Sequence, residues 1–263
     1  MKILVKLGGT LLDSQESRDR MAAQIAAAAS RDGMEVVVVH GGGKQMTRFL
    51  AEKGVESRFV GGLRVTTPET LDAVVKVLAG SVNHELVAAL NCAGARAVGL
   101  SGIDDCLVEA EQMDPALGAV GRVLRSNPDL LHLLTSNGYL PVVACVAGDR
   151  QGRLYNVNAD QMAVACAAGF GAEQLIFLTD VEGVLDEHKQ VRPVLSIQQS
   201  ERLIADGIAT GGMQAKLNAA NSALRQGVAQ VLIAPGNADS VVERLLSRES
   251  LGTRLITGEG AVA

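Results

Sequence analysis

Six short apolar runs, Ile3–Leu7, Val36–Val39, Ala97–Leu100, Leu140–Cys145, Leu175–Leu178 and Val231–Ala234, recur along the chain, and most are separated by segments of helical period. Such runs suit strands buried on both faces, as in a parallel sheet whose crossovers are helices. The class is therefore α/β. With 263 residues and 48% hydrophobic content, the chain can build one large domain or two fused lobes. The first run also contains a charge: Lys6 lies in Ile3-Leu4-Val5-Lys6-Leu7, directly before Gly8-Gly9-Thr10. An ammonium buried without an anion is costly. A phosphate held by glycine N–H groups at the carboxyl edge of the sheet would satisfy it, and so would a structural carboxylate or snorkelling to the strand end.

After Pro68, Leu71, Val74, Val75, Leu78, Val82 and Leu86 keep helical spacing with Gly80 among them, which predicts two abutting helices or one bent helix. Val55 to Thr66 and Leu107 to Val123 are extended stretches split by glycines or proline, each read as a β-hairpin or flap able to fold over a ligand. Gln151-Gly152 is the candidate seam between an N-terminal lobe, about 1–150, and a C-terminal lobe, about 151–263.

Composition narrows the function classes. There is no Trp, and two Tyr and four Phe offer little for stacking nucleic-acid bases. A net charge of −5 gives no basic field for nucleic acid or anionic lipid. Cys92, Cys106, Cys145 and Cys166 lack C-x-x-C spacing and are expected as reduced core thiols of a cytoplasmic protein. The four histidines are scattered, so no metal site is expected. Met21 to Ala29, taken as the longest apolar helical stretch, is too short to cross a bilayer. Because the sequence starts on a strand, neither a signal peptide nor a leading regulatory segment is expected.

Four further motifs sit where sheet edges are expected. His40-Gly41-Gly42-Gly43-Lys44 joins a strand to a helix starting near Gln45, a turn that aims free N–H groups at one point and is neither a Walker A loop nor a dinucleotide fingerprint. In Asn156-Val157-Asn158-Ala159-Asp160-Gln161, Asn158 can cap a helix with Gln161 as its box partner, and capping leaves Asn156 unused. Thr210-Gly211-Gly212-Met213 opens a helix with Lys216 near its first turn, where a cation faces the positive end of the dipole. Leu178-Thr179-Asp180-Val181-Glu182-Gly183-Val184-Leu185 is a strand entering a turn, where Asp180 either caps the turn or contacts a nucleotide. Arg64, beside Gly61-Gly62, has the fork geometry for a carboxylate.

Taken together, these segments resemble the amino-acid kinase family, and within it the acetylglutamate kinases. The similarity rests on Val5-Lys6-Leu7-Gly8-Gly9, Val39-His40-Gly41-Gly42-Gly43, Gly62-Leu63-Arg64-Val65-Thr66, Asn156 to Asp160, Leu178 to Gly183, and Gly211-Gly212-Met213 with Lys216, in the family's order along the whole chain to Leu251-Gly252-Thr253. The resemblance implies a three-layer αβα sandwich around a mostly parallel open sheet, with hairpin flaps. It implies an N-terminal lobe for the acyl acceptor and a C-terminal lobe for ATP. Carried over, Lys6 and Lys216 would stabilise the transferring phosphoryl group, with Asp160 holding both lysines. Gly41, Gly42, Gly43, Arg64, Asn156 and Asn158 would hold the acceptor. Gly8, Gly9, Thr179, Asp180, Val181, Glu182, Gly183, Val184, Leu185, Ile208, Ala209, Thr210, Gly212 and Met213 would contact the nucleotide.

The implied reaction converts ATP and N-acetyl-L-glutamate to N-acetyl-γ-glutamyl phosphate and ADP, a step of arginine biosynthesis. The acceptor carboxylate is already ionised, so no general base is needed. Mg²⁺ would arrive on the ATP phosphates. Arginine-inhibited hexameric members carry an extra helix before the first strand; this chain is expected to form a homodimer without arginine feedback, joined through the helical region after Pro68. Lys44 and the Gly102-Ile103-Asp104-Asp105 segment receive no role. The nearest rival is a kinase acting on an N-blocked α-aminoadipate in lysine biosynthesis, since one methylene is worth only about 1–3 kcal/mol of discrimination. A nicotinamide-dependent oxidoreductase lacks its fingerprint here, and a non-catalytic nucleotide sensor would not need both lysines.

Overall fold

All six apolar runs are strands of one open sheet in the computed structural model, which describes residues 1–258. The chain runs β1 (Lys2–Leu7), α1 (Gln15–Ala29), β2 (Glu35–His40), α2 (Gly43–Glu52), the hairpin β3 (Phe59–Val60) and β4 (Leu63–Arg64), then α3 (Pro68–Val74), a π-helical stretch (Val75–Val82) and α4 (Asn83–Cys92). There follow β5 (Ala97–Ser101), β6 (Val108–Gln112), β7 (Val120–Ser126), α5 (Asp129–Ser136), β8 (Leu140–Ala144), β9 (Val146–Gly148), β10 (Leu154–Val157) and α6 (Ala159–Phe170). The remainder is β11 (Gln174–Thr179), β12 (Val194–Ser196), α7 (Ile197–Ala205), α8 (Gly211–Arg225), β13 (Gln230–Pro235), α9 (Val241–Leu246) and β14 (Thr253–Ile256).

The main sheet has eight strands in the order β12-β14-β13-β11-β1-β2-β8-β5. From β13 to β5 every pairing is parallel, while β14 runs antiparallel to β13. β11 is buried at every position and β1 after its first residue, which requires cover on both faces. α6 supplies part of that cover against β1, β2 and β11, while α1 packs on β2, α4 and α9. Central β1 therefore delivers Lys6, flanked in register by Val39 and Phe177, to the carboxyl edge of the sheet.

The structure adds detail to several expectations and corrects others. The 107–123 stretch is the expected hairpin, β6 paired antiparallel with β7, but no free flap: with β9 and β10 it closes a small barrel, so Val108, Ala110 and Val120 are core. Gln151-Gly152 is the tip of the β9–β10 hairpin, tied by Asp149 Oδ1 accepting from the N–H groups of Gln151 and Arg153. α2 begins at Gly43, two residues before the expected start. Cys145 and Cys166 are buried free thiols, but Cys92 and Cys106 are exposed, because they fall at a helix end and in a turn.

Of the two expected arrangements the single helix is found: Pro68 to Cys92 is continuous over 25 residues, with a π-helical stretch, Val75–Val82, around Gly80. It, and not Met21 to Ala29, is the long apolar helix, and its length and composition alone would suit a membrane span. Its Val77, Leu78, Val82, Leu86 and Leu90 instead pack in the core. The expected hairpin at 55–66 is present as β3 and β4, with Gly61 and Gly62 at φ 55° and 80°, both positive as a two-residue primed turn requires.

Candidate active site

Three charged side chains from distant parts of the sequence meet at the sheet edge. Lys6 Nζ lies 2.7 Å from Asp160 Oδ1, and Lys216 Nζ lies 3.2 Å from Asp160 Oδ2. Asp160 is the second residue of α6, where the N-terminal N–H groups also favour a carboxylate. Burial alone would push its carboxyl group up; Lys6 and then Lys216 outweigh that and hold it below the usual range. The carboxylate is thus kept ionised, and it keeps two mutually repelling ammonium groups together. Asn158 caps α6, its Oδ1 accepting from the N–H groups of Asp160 and Gln161, while Gln161 does not return the box bond.

The two glycine turns touch. A Cβ at Gly9 would lie 3.1 Å from the Gly43 nitrogen, and one at Gly8 would lie 3.2 Å from the Leu178 oxygen, so side chains there would push the strand ends apart. Backbone bonds from Gly8 N–H to Leu178 O and from Gly41 N–H to Leu7 O lock these turns to neighbouring strands. The N-terminus of α2 has no side-chain cap, which leaves its first N–H groups open beside Gly41–Gly43.

Those three glycines, Arg64, Asn156 and Asn158 line one cavity of about 160 Å³. Arg64 reaches it from the β3–β4 hairpin. Its guanidinium packs 4.6 Å from the Phe59 ring centre and donates to Gly43 O at 3.1 Å and Thr47 Oγ1 at 2.8 Å. Asn156 Nδ2 donates to Thr66 Oγ1 at 3.0 Å, and Thr66 Oγ1 donates to Arg64 O at 2.8 Å, so arginine and asparagine are linked. Sequence reasoning missed the apolar wall formed by Met46, Val74, Leu78 and Cys145. The helical spacing of Val74 and Leu78 was visible, but nothing local said which face of the helix met the glycines. Burial raises the Cys145 thiol to about 12, with Lys6 pulling down and Asp160 pushing up, so it is a neutral part of that wall.

A second, open groove of about 1360 Å³ runs from Asp160 and Lys216 between α6, α8 and β7. Arg122 and Arg125 on β7 border it, each already paired with a glutamate, Glu111 and Glu109. Neither arginine was singled out in the sequence.

The residues expected at the nucleotide gather around the ends of β11 and α8. Thr179 ends β11 and donates to Asp180 Oδ1 at 3.1 Å; Asp180, Val181, Glu182 and Leu185 are exposed. Gly183 sits where a Cβ would meet Thr253 Oγ1 at 2.9 Å, and Val184 N–H donates to that same hydroxyl at 2.8 Å. Val184 and Ala209 have core side chains, and their N–H groups are bonded internally, to Thr253 Oγ1 and Leu203 O. Thr210 is the N-cap of α8 without a side-chain cap bond, and Ile208, Gly212 and Met213 flank that open helix end. The unassigned segments have structural partners: Lys44 Nζ pairs with Asp13 at 3.2 Å, and Asp104 Oδ2 accepts from the Ser101 N–H and hydroxyl.

Comparison with known proteins places the chain in a family. The profile described as "Amino acid kinase family" matches residues 1–235. An acetylglutamate kinase of Solibacter usitatus is 71% identical over 98% of this chain and its own full length. One from Rhizobium rhizogenes is 41% identical over 97% of this chain and 90% of that protein. Among solved structures, a Streptococcus mutans protein superposes with a TM-score of 0.81 at 28% identity, covering 98% of this chain and 99% of its own. An N-acetylglutamate synthase from Neisseria gonorrhoeae, complexed with coenzyme A and N-acetyl-glutamate, gives a TM-score of 0.87 at 24% identity over 98% of this chain and 60% of its own, a likeness of fold. The chain belongs to the amino acid kinase family.

Proposed function

We propose that this chain transfers the γ-phosphoryl group of ATP to the side-chain carboxylate of N-acetyl-L-glutamate, giving N-acetyl-γ-glutamyl phosphate and ADP in arginine biosynthesis. The observation that carries the reading is the convergence of Lys6 and Lys216 on Asp160, beside the glycine cavity. The 71% identical relative named acetylglutamate kinase supports this acceptor over an N-blocked α-aminoadipate.

In this reading the N-terminal lobe, about 1–150, holds the acceptor and the C-terminal lobe, about 151–263, holds ATP; the last five residues of that span lie outside the described residues. Arg64 takes the α-carboxylate, Asn156 and Asn158 the acetamido group, and the Gly41–Gly43 N–H groups the reacting end. The uncapped N-terminus of α8 suits nucleotide phosphates, with the Gly8-Gly9 turn and the backbone at 179–185 alongside. Mg²⁺ carried by those phosphates would supply partial charge neutralisation; among the described residues no group of three His, Cys, Asp or Glu side chains is placed to hold an ion.

The carboxylate attacks phosphorus in line, and negative charge spreads over the transferring oxygens. Lys6 and Lys216, preorganised by Asp160, meet that charge without reorganising. The enzyme works as a cytoplasmic homodimer joined through the 68–92 helix, with its cysteines reduced. Neither nucleic acid nor a membrane is a partner. The deciding experiment measures ADP release from ATP with and without N-acetyl-L-glutamate, with α-aminoadipate derivatives as competitors. Release dependent on acetylglutamate supports the reading, and release that is absent or prefers the longer acid overturns it. Light scattering at a single-chain mass would overturn the dimer.

A further inference from the structure

His40 is wholly buried at the end of β2, and no step proposed above uses its ring. Its Nδ1 lies 2.8 Å from the carbonyl oxygen of Gly41, and its Nε2 lies 3.0 Å from Nδ2 of Asn83. A carbonyl only accepts, so Nδ1 carries the proton and Nε2 is the acceptor. The asparagine orientation is fixed in the same way: its Nδ2 also faces the carbonyl oxygen of Val142 at 2.9 Å, so that atom is the amide nitrogen. Each of the three bonds then has one donor and one acceptor, and the imidazole between them is neutral.

Asn83 is a polar intruder in an apolar helix, only 3% exposed. It directly follows the π-helical stretch, whose Leu78 and Val82 point at the glycine turn: a Cβ on Gly42 would lie 2.5 Å from Leu78 Cδ2. On the other side, a Cβ on Gly99 of β5 would lie 2.2 Å from Asn83 Oδ1. Gly99 lies opposite Val142 in the β5–β8 pairing, so its missing side chain makes room for the amide that reaches Val142 and His40. Gly99 is not among the positive-φ glycines, so space alone accounts for it.

We infer that Asn83 is a positioning residue: through the neutral imidazole of His40 it fixes the Gly41 carbonyl, and so holds the Gly42 and Gly43 N–H groups toward the acceptor cavity. Fixing one peptide plane of a flexible glycine turn preorganises the donors that meet the acceptor's reacting end. The inference rests on the proposed role of the glycine turn in acceptor binding.

The test uses the full chain with ATP and N-acetyl-L-glutamate. Acetylglutamate-dependent ADP release by the unaltered protein comes first, since its failure sinks the functional reading and leaves the relay to the spectra. Nitrogen-15 chemical shifts of the His40 ring should report the Nδ1–H tautomer; the Nε2–H tautomer overturns the relay. Asn83→Leu should lower kcat/KM for acetylglutamate by about 10–100-fold, with the KM for ATP within about twofold. Gly99→Ala, which touches neither ring nor cavity, should give a smaller loss of the same kind. Rescue separates positioning from packing. His40→Asn keeps a donor near the Nδ1 position for Gly41 and should retain most activity, whereas His40→Gln can reach Asn83 but not Gly41 and should not. Equal activity of these two variants, or losses that follow only the folded fraction by circular dichroism, overturns the inference.

Discussion

Around the glycine turn of β2, polar groups converge on a small cavity of about 160 Å³, whereas around the end of β11 Asp180, Val181 and Glu182 stand in solvent. The proposed acceptor side is assembled from distant segments, some of them tied to one another, as in the Arg64–Thr66–Asn156 chain. The proposed nucleotide side lies at one strand end and one uncapped helix end, with side chains such as Val184 turned into the core. A small, mutually bonded site can discriminate among small acids, because an ill-fitting acceptor leaves polar groups unpaired. An open backbone site can hold phosphates common to every nucleoside triphosphate and release the product quickly.

The largest expected effect lies at the junction of the two sides. Lys6→Ala should lower kcat by about 10³-fold while changing the KM for ATP far less, since its charge matters where negative charge develops. Lys216→Ala should follow the same pattern at about 10²-fold. Turnover within a few-fold of the unaltered chain, read by coupled ADP release, would make the ion triad purely structural.

The second effect is on stability and belongs to the buried acceptor side. Burial lowers the His40 pKa to about 4, against the raising effect of its bond to Gly41 O, while the unfolded ring titrates near 6.5. The unfolded state therefore binds the proton first. Stability is fully present above pH 6.5 and is lost as pH falls toward 4, by about 3 kcal/mol. Urea melts between those limits should show the decline in the unaltered chain and a flatter profile in His40→Gln. The lowered Asp160 carboxyl contributes stability above its unfolded pKa, near 3.9, and loses it at lower pH, mostly outside this window. An unchanged slope in the variant would place the titration elsewhere.

Arg64→Ala should raise the KM for acetylglutamate about 10–100-fold, the worth of a charged hydrogen-bonded contact, with the KM for ATP unchanged. Asp180→Ala, on the exposed edge, should raise the KM for ATP only about two- to fivefold and leave that for acetylglutamate alone. If these two variants each moved the other substrate's KM, the division between the two sides would fail.

Much of the fold was legible in the residues. Runs such as Glu35-Val36-Val37-Val38-Val39 need cover on both faces, which announced the parallel sheet, and paired glycines after two strands announced turns at one edge. Lys6 in an apolar run announced a buried anion, found as Asp160. The small barrel was not legible, because β6, β7, β9 and β10 are short and their closure depends on pairings between distant segments. Nor were the cavity wall and the His40–Asn83 contact. A helix pattern shows that Val74, Leu78 and Asn83 share a helix, not what each meets across it.

The order of residues alone specifies the layers, the strand ends that carry glycines, and the presence of two lysines and an aspartate in need of partners. These follow from burial cost and backbone geometry, which act over a few residues at a time. Tertiary structure alone decided that Lys6 and Lys216 share Asp160, and that Gly99 opens a space for Asn83 to reach His40. Those are distances across the fold, set by how strands order and helices seat, and no local pattern encodes them.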